Sequence, residues 1–374
     1  MPMHSGLLPR EGFCLDVILK LVRATALNPS LLLPLLLLAR YTKQGQDLSI
    51  LHPVAHRRLR NLFCVALVRS ISGWFSDRVS NNWVNDRYDW SKEIVVVTGG
   101  AGGIGGAIVR TLEEKGITVV VLDVQPLSFK TSSKVHHFQC DLRSPQNVMA
   151  VADQVRAKVG HPTVIINNAG VARGKTILEA DPSDIRFTFD VNTFALFWTT
   201  QAFLPHMVKT NHGMVVTVSS YASWLTISNM VDYGASKAAA MAFHEGLAAE
   251  LKSKYNAPRV RTVVVHPGHT RTPLFKGYNQ NTGFVMPEQF PESIAEAVVK
   301  QVLTGRSGRV IQPEAGGTLP GLRAMPDWYQ VRLRAKALYM DNWQGRQVIQ
   351  DVGAAYDGED KGEASESTVL VSEE

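Results

Sequence analysis

The sequence predicts an α/β fold, a doubly wound parallel sheet, on three observations. Runs of β-branched and aliphatic residues recur at 94–97, 118–122, 163–166, 214–218 and 260–265. Amphipathic segments lie between them, at 104–115, 145–159 and 235–254. The first run passes into the first amphipathic segment through Thr98-Gly99-Gly100-Ala101-Gly102-Gly103-Ile104-Gly105. Alternating strands and helices require a parallel sheet covered on both faces. A glycine turn leading from strand into helix is where a dinucleotide pyrophosphate meets backbone N–H groups.

The 374 residues allow one large domain with extensions or two smaller domains. Cys14, Cys64 and Cys140 stand far apart with no CxxC pair, which argues against a disulfide scaffold and against a metal site and fits a reducing compartment. The net charge of +6 is unevenly placed. Residues 1–92 carry 12 Lys+Arg against 6 Asp+Glu, and residues 351–374 carry 8 acids against the single Lys361. The basic arm alternates its charges with large apolar residues and has no nucleic-acid motif, so a membrane surface suits it better than nucleic acid.

Within 1–92, Leu31 to Ala39 is intensely apolar but interrupted by Pro34 and too short for one clean crossing, which takes about 20 apolar residues. Leu62 to Phe75 reads as an amphipathic helix with Arg69 and two aromatics near its end, the make-up of an interfacial helix. The competing expectation is that these segments pack against protein. The strand 94–97 opens the domain, and the βα alternation runs on to a helix at 291–304 and a last short strand, Arg309-Val310-Ile311. After Pro320, Leu322 to Lys336 mixes aromatics with cations as a second surface-lying element. The expected division is therefore 1–92, a membrane-associating helical extension; 93–318, the dinucleotide-binding domain; 319–350, an amphipathic segment; and 351–374, an acidic disordered tail.

Gly99, Gly103 and Gly105 supply the tight turn, the approach to phosphate and the close helix–strand packing. Asp123 closes the next strand about 20 residues on, where an acid accepts the ribose hydroxyls and repels a 2′-phosphate. NAD(H) is the expected cofactor, with NADP(H) as the alternative. At later strand ends, Asp141 is placed to accept from the adenine amino group, and Asn167-Asn168-Ala169-Gly170 lies where such sheets bind ligands.

Tyr233 and Lys237, spaced i and i+4, point the same way from one helix. A free phenol ionises near pH ~10, and a neighbouring ammonium favours its phenolate, so Tyr233 is suited to passing a proton. Ser220 follows the strand at 214–218, with its hydroxyl available to hold a substrate oxygen; Ser219 beside it is the competing hydroxyl. Asn192, in a helical stretch, offers an amide to anchor a water leading to Lys237.

Together these residues resemble the short-chain dehydrogenase/reductase family over about 93–310, in order and spacing: Thr98–Gly105, Asn167–Gly170, Asn192, Ser220, Tyr233, Lys237 and Pro267-Gly268. The resemblance implies a single Rossmann-type domain in which Ser220 stabilises the carbinol or carbonyl oxygen and Tyr233 is the acid/base. It implies that Lys237 lowers the phenol pKa and binds the ribose, that Asn192 supports the proton relay, and that Ile104 and Asn168 line the cofactor. It sets Thr270 and Thr272 beside the carboxamide and phosphate. The apolar ends resemble the retinol and 17β-hydroxysteroid dehydrogenase branch, which implies a small lipophilic substrate, a homo-oligomer, and an endoplasmic reticulum membrane or lipid-droplet surface with the catalytic domain in the cytosol. The alternatives are a carbonyl or ketoacyl reductase of secondary metabolism and a catalytically silent membrane-attached scaffold. An intact Ser220, Tyr233 and Lys237 argues against the scaffold, because folding does not need all three.

Overall fold

The computed structural model describes residues 3–4, 6, 8–275, 283–336, 347–349 and 368–370. Four helices open the chain: α1 (Leu15–Ala24), α2 (Pro29–Tyr41), α3 (Lys43–Leu51) and α4 (Pro53–Ser80). The Asn28 side chain accepts from Ser30 N at 3.0 Å and starts α2, with Pro29 in the first turn, where its missing N–H costs nothing. Only Leu32 of α2 is buried, while Leu31, Leu33, Leu35, Leu37 and Leu38 are exposed. The amphipathic stretch expected at 62–75 is the centre of the longer α4, and Val65, Val68, Ile71, Phe75 and Val79 form an exposed apolar stripe at three- and four-residue spacing. No single helix among the described residues is long and apolar enough to cross a membrane; α1 and α2, bent by 45°, reach that length and composition only as a pair.

The domain follows as β1 (Ile94–Thr98), α5 (Gly103–Glu114), β2 (Thr118–Asp123), β3 (Val135–Gln139), α6 (Pro145–Lys158), β4 (Val164–Asn167), α7 (Pro182–Phe189), α8 (Ala195–Thr210), β5 (Gly213–Val218), α9 (Val231–Ser253), β6 (Val260–Pro267), α10 (Pro291–Leu303) and β7 (Gly308–Gln312). The strands pair in parallel in the order 3-2-1-4-5-6-7. Val95 and Val97 face a core built with α5 and α10, while Val96 faces a second core built with α6 and α8. Burial on both faces explains why these strands read as unbroken apolar runs. The chain leaves β1 for β2 on one side and later returns to β4 on the other. The crevice at that switch point, at the carboxyl ends of the strands, is where such sheets take ligands.

The segment between α4 and β1 is pinned to the domain. Arg261, 1% exposed, donates to the carbonyls of Asn81 and Val84 at 3.0 and 2.6 Å, and Asn81 Oδ1 accepts from Ser307 N at 2.9 Å. His212 sits between two acids, with Nδ1 2.8 Å from Asp86 and Nε2 3.4 Å from Glu93. The hydrogen bond to Glu93, and then that to Asp86, hold this imidazole above its usual pKa against the cost of burial.

Residues before α2 pack over the carboxyl end of the sheet. Leu15 N donates to Phe284 O at 2.9 Å, and Phe290 N donates to Glu11 Oε1 at 3.1 Å. The buried Asp16 carboxylate accepts from Glu314 N and Ala315 N at 2.7 and 2.9 Å, capping a 3-10 run at Glu314–Ala324. Arg23 pairs with Glu314, and Arg10 with Glu296. The arm is thus part protein-packed and part exposed. The 3-10 run crosses position 318, and α11 (Asp327–Lys336) follows it with Trp328 and Val331 exposed. Gln347–Ile349 pairs antiparallel with Thr368–Leu370; the rest of the acidic tail expected at 351–374 lies outside the described residues.

Candidate active site

The glycine turn stands at the head of β1 and is shaped by backbone packing. Gly99 has φ +65°, and a Cβ there would lie 2.8 Å from Ala169 Cα. At Gly105 a Cβ would fall 2.0 Å from Gly99 O and 2.5 Å from Asn168 Nδ2. Asn168 Nδ2 itself donates to Thr98 O and Gly99 O, both at 3.1 Å, so this amide braces the turn from beneath. Ile104 is half-buried against the α5–α10 core. Gly103 opens toward Thr272, whose Cγ2 would stand 3.5 Å from a Cβ there, and Thr270 is buried, its hydroxyl on Gly268 O at 3.0 Å. The 270–272 loop therefore flanks the N-terminus of α5, whose first-turn N–H groups have no helical acceptor. A cradle with free N–H groups, closed behind by backbone and open in front, fits a dinucleotide pyrophosphate.

Asp123, at the end of β2, accepts from Ala101 N at 2.8 Å and Gln125 N at 3.1 Å. These bonds fix the carboxylate beside the turn and leave it lone pairs for a diol. Asp141 is gripped by Arg143, with guanidinium contacts of 2.7 to 3.1 Å; burial opposes ionisation, but the Arg143 hydrogen bonds hold the carboxyl below its usual range.

Across the crevice, α9 brings Tyr233 and Lys237 to one face, 5% and 4% exposed, with Lys237 Nζ 5.8 Å from the centre of the Tyr233 ring. The Tyr233 hydroxyl is hydrogen-bonded to Ser220. Ser220 starts a single 3-10 turn, its Oγ accepting from Ala222 N at 3.2 Å. Lys237 Nζ donates to Val218 O at 3.0 Å. Burial pushes Tyr233 up to about 12, opposed by the Ser220 bond, and pushes Lys237 down to about 8. Ser219 is buried and turned away, its hydroxyl donating to Lys237 O at 2.9 Å.

Asn192 lies in a π-helical turn, Asp190–Phe194, between α7 and α8. Such turns in helices concentrate at functional sites. Its Oδ1 accepts from Val171 N at 2.8 Å, and its Nδ2 donates to Val171 O at 2.8 Å and Ser236 Oγ at 3.0 Å. Added at Gly170, a Cβ would lie 3.3 Å from Lys237 Nζ and 3.4 Å from Asn192 Oδ1, so these two groups approach one another at that glycine.

Ala172, Met230, Tyr233, Leu274 and Phe275 form an apolar cluster, with the Phe275 ring edge-on to Tyr233 at 6.1 Å. Tyr278, from the same apolar loop of the sequence, lies outside the described residues. Sequence reasoning missed the arm above this mouth, where Phe13 meets Phe284 at 5.9 Å. Its local signal was one acid, Asp16, in an apolar helix.

A family model for short chain dehydrogenases matches residues 93–283. Dehydrogenase RED2 of Cochliobolus heterostrophus is 43% identical over 199 residues, which are 52% of this chain and 75% of that one. Estradiol 17-beta-dehydrogenase 11 of Pongo abelii is 30% identical over 65% of this chain and 83% of its own. A short chain dehydrogenase of Burkholderia cenocepacia, solved in complex with NADP, superimposes with a TM-score of 0.57 at 27% identity over 66% of this chain and 99% of that one. The cradle, the seven-stranded parallel sheet and these relatives agree: the chain belongs to the short-chain dehydrogenase family and is an NAD(P)-dependent oxidoreductase acting on alcohols.

Proposed function

We propose that the chain interconverts a lipophilic alcohol, of the retinoid or steroid kind, and its carbonyl, with NAD(H), through Ser220, Tyr233 and Lys237. One observation carries this reading: a buried phenol held by a serine hydroxyl, with a buried amine on the next turn of its helix, opposite a dinucleotide cradle. The nicotinamide, when bound, accepts or returns the hydride. Ser220 holds the substrate oxygen in line with Tyr233. Tyr233 Oη takes the proton from an alcohol or gives it to a carbonyl. Lys237, held on Val218 O, presents its charge to the phenolate as that forms, and Asn192 fixes the wall between Val171 and Ser236. The apolar residues Phe275, Phe284 and Val285 around the mouth support a lipophilic substrate. The name of the estradiol dehydrogenase relative agrees with that class. Turnover of a panel of retinoid and steroid alcohols and their ketones, with both cofactors, tests the reading. NADH binding without turnover of any member would make the chain a silent scaffold instead.

Asp123 supports NAD(H) over NADP(H), because a carboxylate at the ribose repels a 2′-phosphate. Asp123→Ser is expected to raise the NADP(H)/NAD(H) ratio of kcat/KM by about tenfold or more, the size of one lost charge contact. A wild-type preference for NADP(H) would refute the assignment.

The exposed leucines of α2, the apolar stripe of α4 and the cations at Arg57, Arg58, Arg60 and Arg69 support attachment to an anionic membrane face, with the domain on the cytosolic side of the endoplasmic reticulum or on lipid droplets. Full-length protein is expected to sediment with membranes through a high-salt wash and to leave them in detergent. Recovery in the soluble fraction without detergent would rule attachment out.

A further inference from the structure

A second cavity, of about 810 Å³, lies between α9, β6, β7, the end of α10 and the last turn of α4. This volume is in the range of small-molecule sites. Its lining includes two imidazoles. His244 follows Lys237 by two helical turns on α9, and His266 lies on β6; they are 8% and 1% exposed. His244 Nδ1 and His266 Nε2 are both buried and have no hydrogen-bond partner. Such orphaned nitrogens are rare in folded proteins and call for an explanation. Burial, together with the nearby Arg309 charge, pushes both imidazoles down to about 4, although the Ser220 carbonyl supports the charged form of His266. Both rings are therefore neutral at pH 7; His266 gives its one N–H to the Ser220 carbonyl through Nδ1, which leaves Nε2 an acceptor, and His244 has one N–H to give.

Four charged groups line the same cavity: Asp77 from α4, Glu245 from α9, and Arg306 and Arg309 beside and on β7. Arg306 is engaged by Asp77 at 3.0 Å. Arg309 has no ion pair among the described residues, and it acts on both imidazoles. Glu245 is exposed at the rim and opposes a second negative charge on any occupant. Met241, Ala248 and Val264 give the cavity apolar walls.

We propose that this cavity is a second small-molecule site, for an organic monocarboxylate whose anionic group lies against Arg309 and takes a hydrogen bond from His244, with the neutral His266 ring as part of the wall. The site touches the catalytic half through one residue. His266 Nδ1 lies 3.3 Å from the Ser220 carbonyl and 3.4 Å from Ser223 Oγ, and its ring stacks on Trp224 at 3.9 Å. The α4 wall makes the N-terminal arm part of the site. Binding here stands apart from the assignment of Ser220, Tyr233 and Lys237, so failure of one leaves the other intact.

The test is calorimetric titration of the full-length protein with sodium benzoate, and with benzamide as its uncharged counterpart, with and without NADH. Expected are one benzoate per chain in both conditions, and an affinity at least about tenfold weaker for benzamide and for benzoate on Arg309→Gln, the scale of a lost charged hydrogen bond. Arg306→Gln, whose guanidinium Asp77 already holds, is expected to leave benzoate affinity nearly unchanged. His244→Phe is expected to weaken benzoate as well; should that core variant misfold, the exposed Arg309→Gln still decides. Benzoate binding that vanishes when NADH is present, or that Arg309→Gln leaves unchanged, overturns the proposal. So does the lack of any saturable binding, the result expected if a second copy of the chain fills the cavity.

Discussion

Tyr233→Phe is expected to lower kcat by ~10²–10⁴-fold, the range attributed to a positioned acid/base, with NADH affinity nearly unchanged. The substitution removes one oxygen from a ring packed among Ala172, Met230 and Phe275, so the fold loses no volume in that cluster beyond the hydroxyl. Ser220 keeps its bond from Ala222 N and hence its position. Steady-state kinetics and a fluorescence titration with NADH separate the two effects. A variant that keeps most of its kcat would remove Tyr233 from the chemistry. The pH dependence has a definite sign. Burial raises the phenol to about 12 and lowers the Lys237 amine to about 8. At neutral pH the pair holds its protons, which suits carbonyl reduction. Oxidation needs the phenolate, so its kcat/KM should climb as pH rises into the alkaline range while that of reduction falls. Profiles with the same slope in the two directions would contradict this.

Gly105→Ala is expected to weaken NADH binding by roughly tenfold to a hundredfold, from the strain of an added methyl in a closed space. The new Cβ would lie 2.0 Å from Gly99 O, a backbone atom, and cannot be relieved by turning a side chain. The turn must open, and Asn168, 2.5 Å away, must release its grip on it. Gly246→Ala, on α9 with nothing within 4 Å, serves as the reference and should bind NADH as the wild type does. Circular dichroism on both variants shows whether the fold has survived. Equal NADH affinities would mean that the turn has slack which its packing denies.

The sheet was legible because its inner strands are buried on both faces, so the β-branched runs at 94–97 and 118–122 needed no knowledge of their neighbours, whereas the edge strands β3 and β7 are only partly buried. The last strand, expected at 309–311, pairs with β6 as Gly308–Gln312. The glycine turn was legible for a similar reason: its chemistry is local, a strand end and a helix start within one octapeptide. Asn192 was legible as a polar residue in a helix but not as a π-turn, because a change of hydrogen-bond register leaves no periodic trace. That the Asn168 amide braces the glycine turn through Thr98 and Gly99 was not legible, because those carbonyls lie about 70 residues earlier in the chain. What stayed hidden depends on partners far along the chain. Arg261 looks like an ordinary strand cation until its carbonyl acceptors, Asn81 and Val84, are folded against it. Leu62 to Phe75 showed its apolar stripe but not its length, since Pro53 and Ser80 lie beyond the aromatic cluster that drew attention to it.

The arm folded over the mouth sets an order of events during synthesis. Glu11 bonds to a backbone N–H 279 residues later, and Asp16 to two that follow it by 298 and 299. At ribosomal rates of about 5–20 residues per second, these side chains wait roughly 14–60 s for their partners to emerge. Throughout that interval the leucines of α2 are already made and have no domain to pack on. The apolar helices meet their surroundings first, whether a chaperone or a bilayer, and the mouth closes last. A nascent chain halted before Phe290 would carry a complete glycine turn and the tyrosine–lysine helix beneath an unfastened roof.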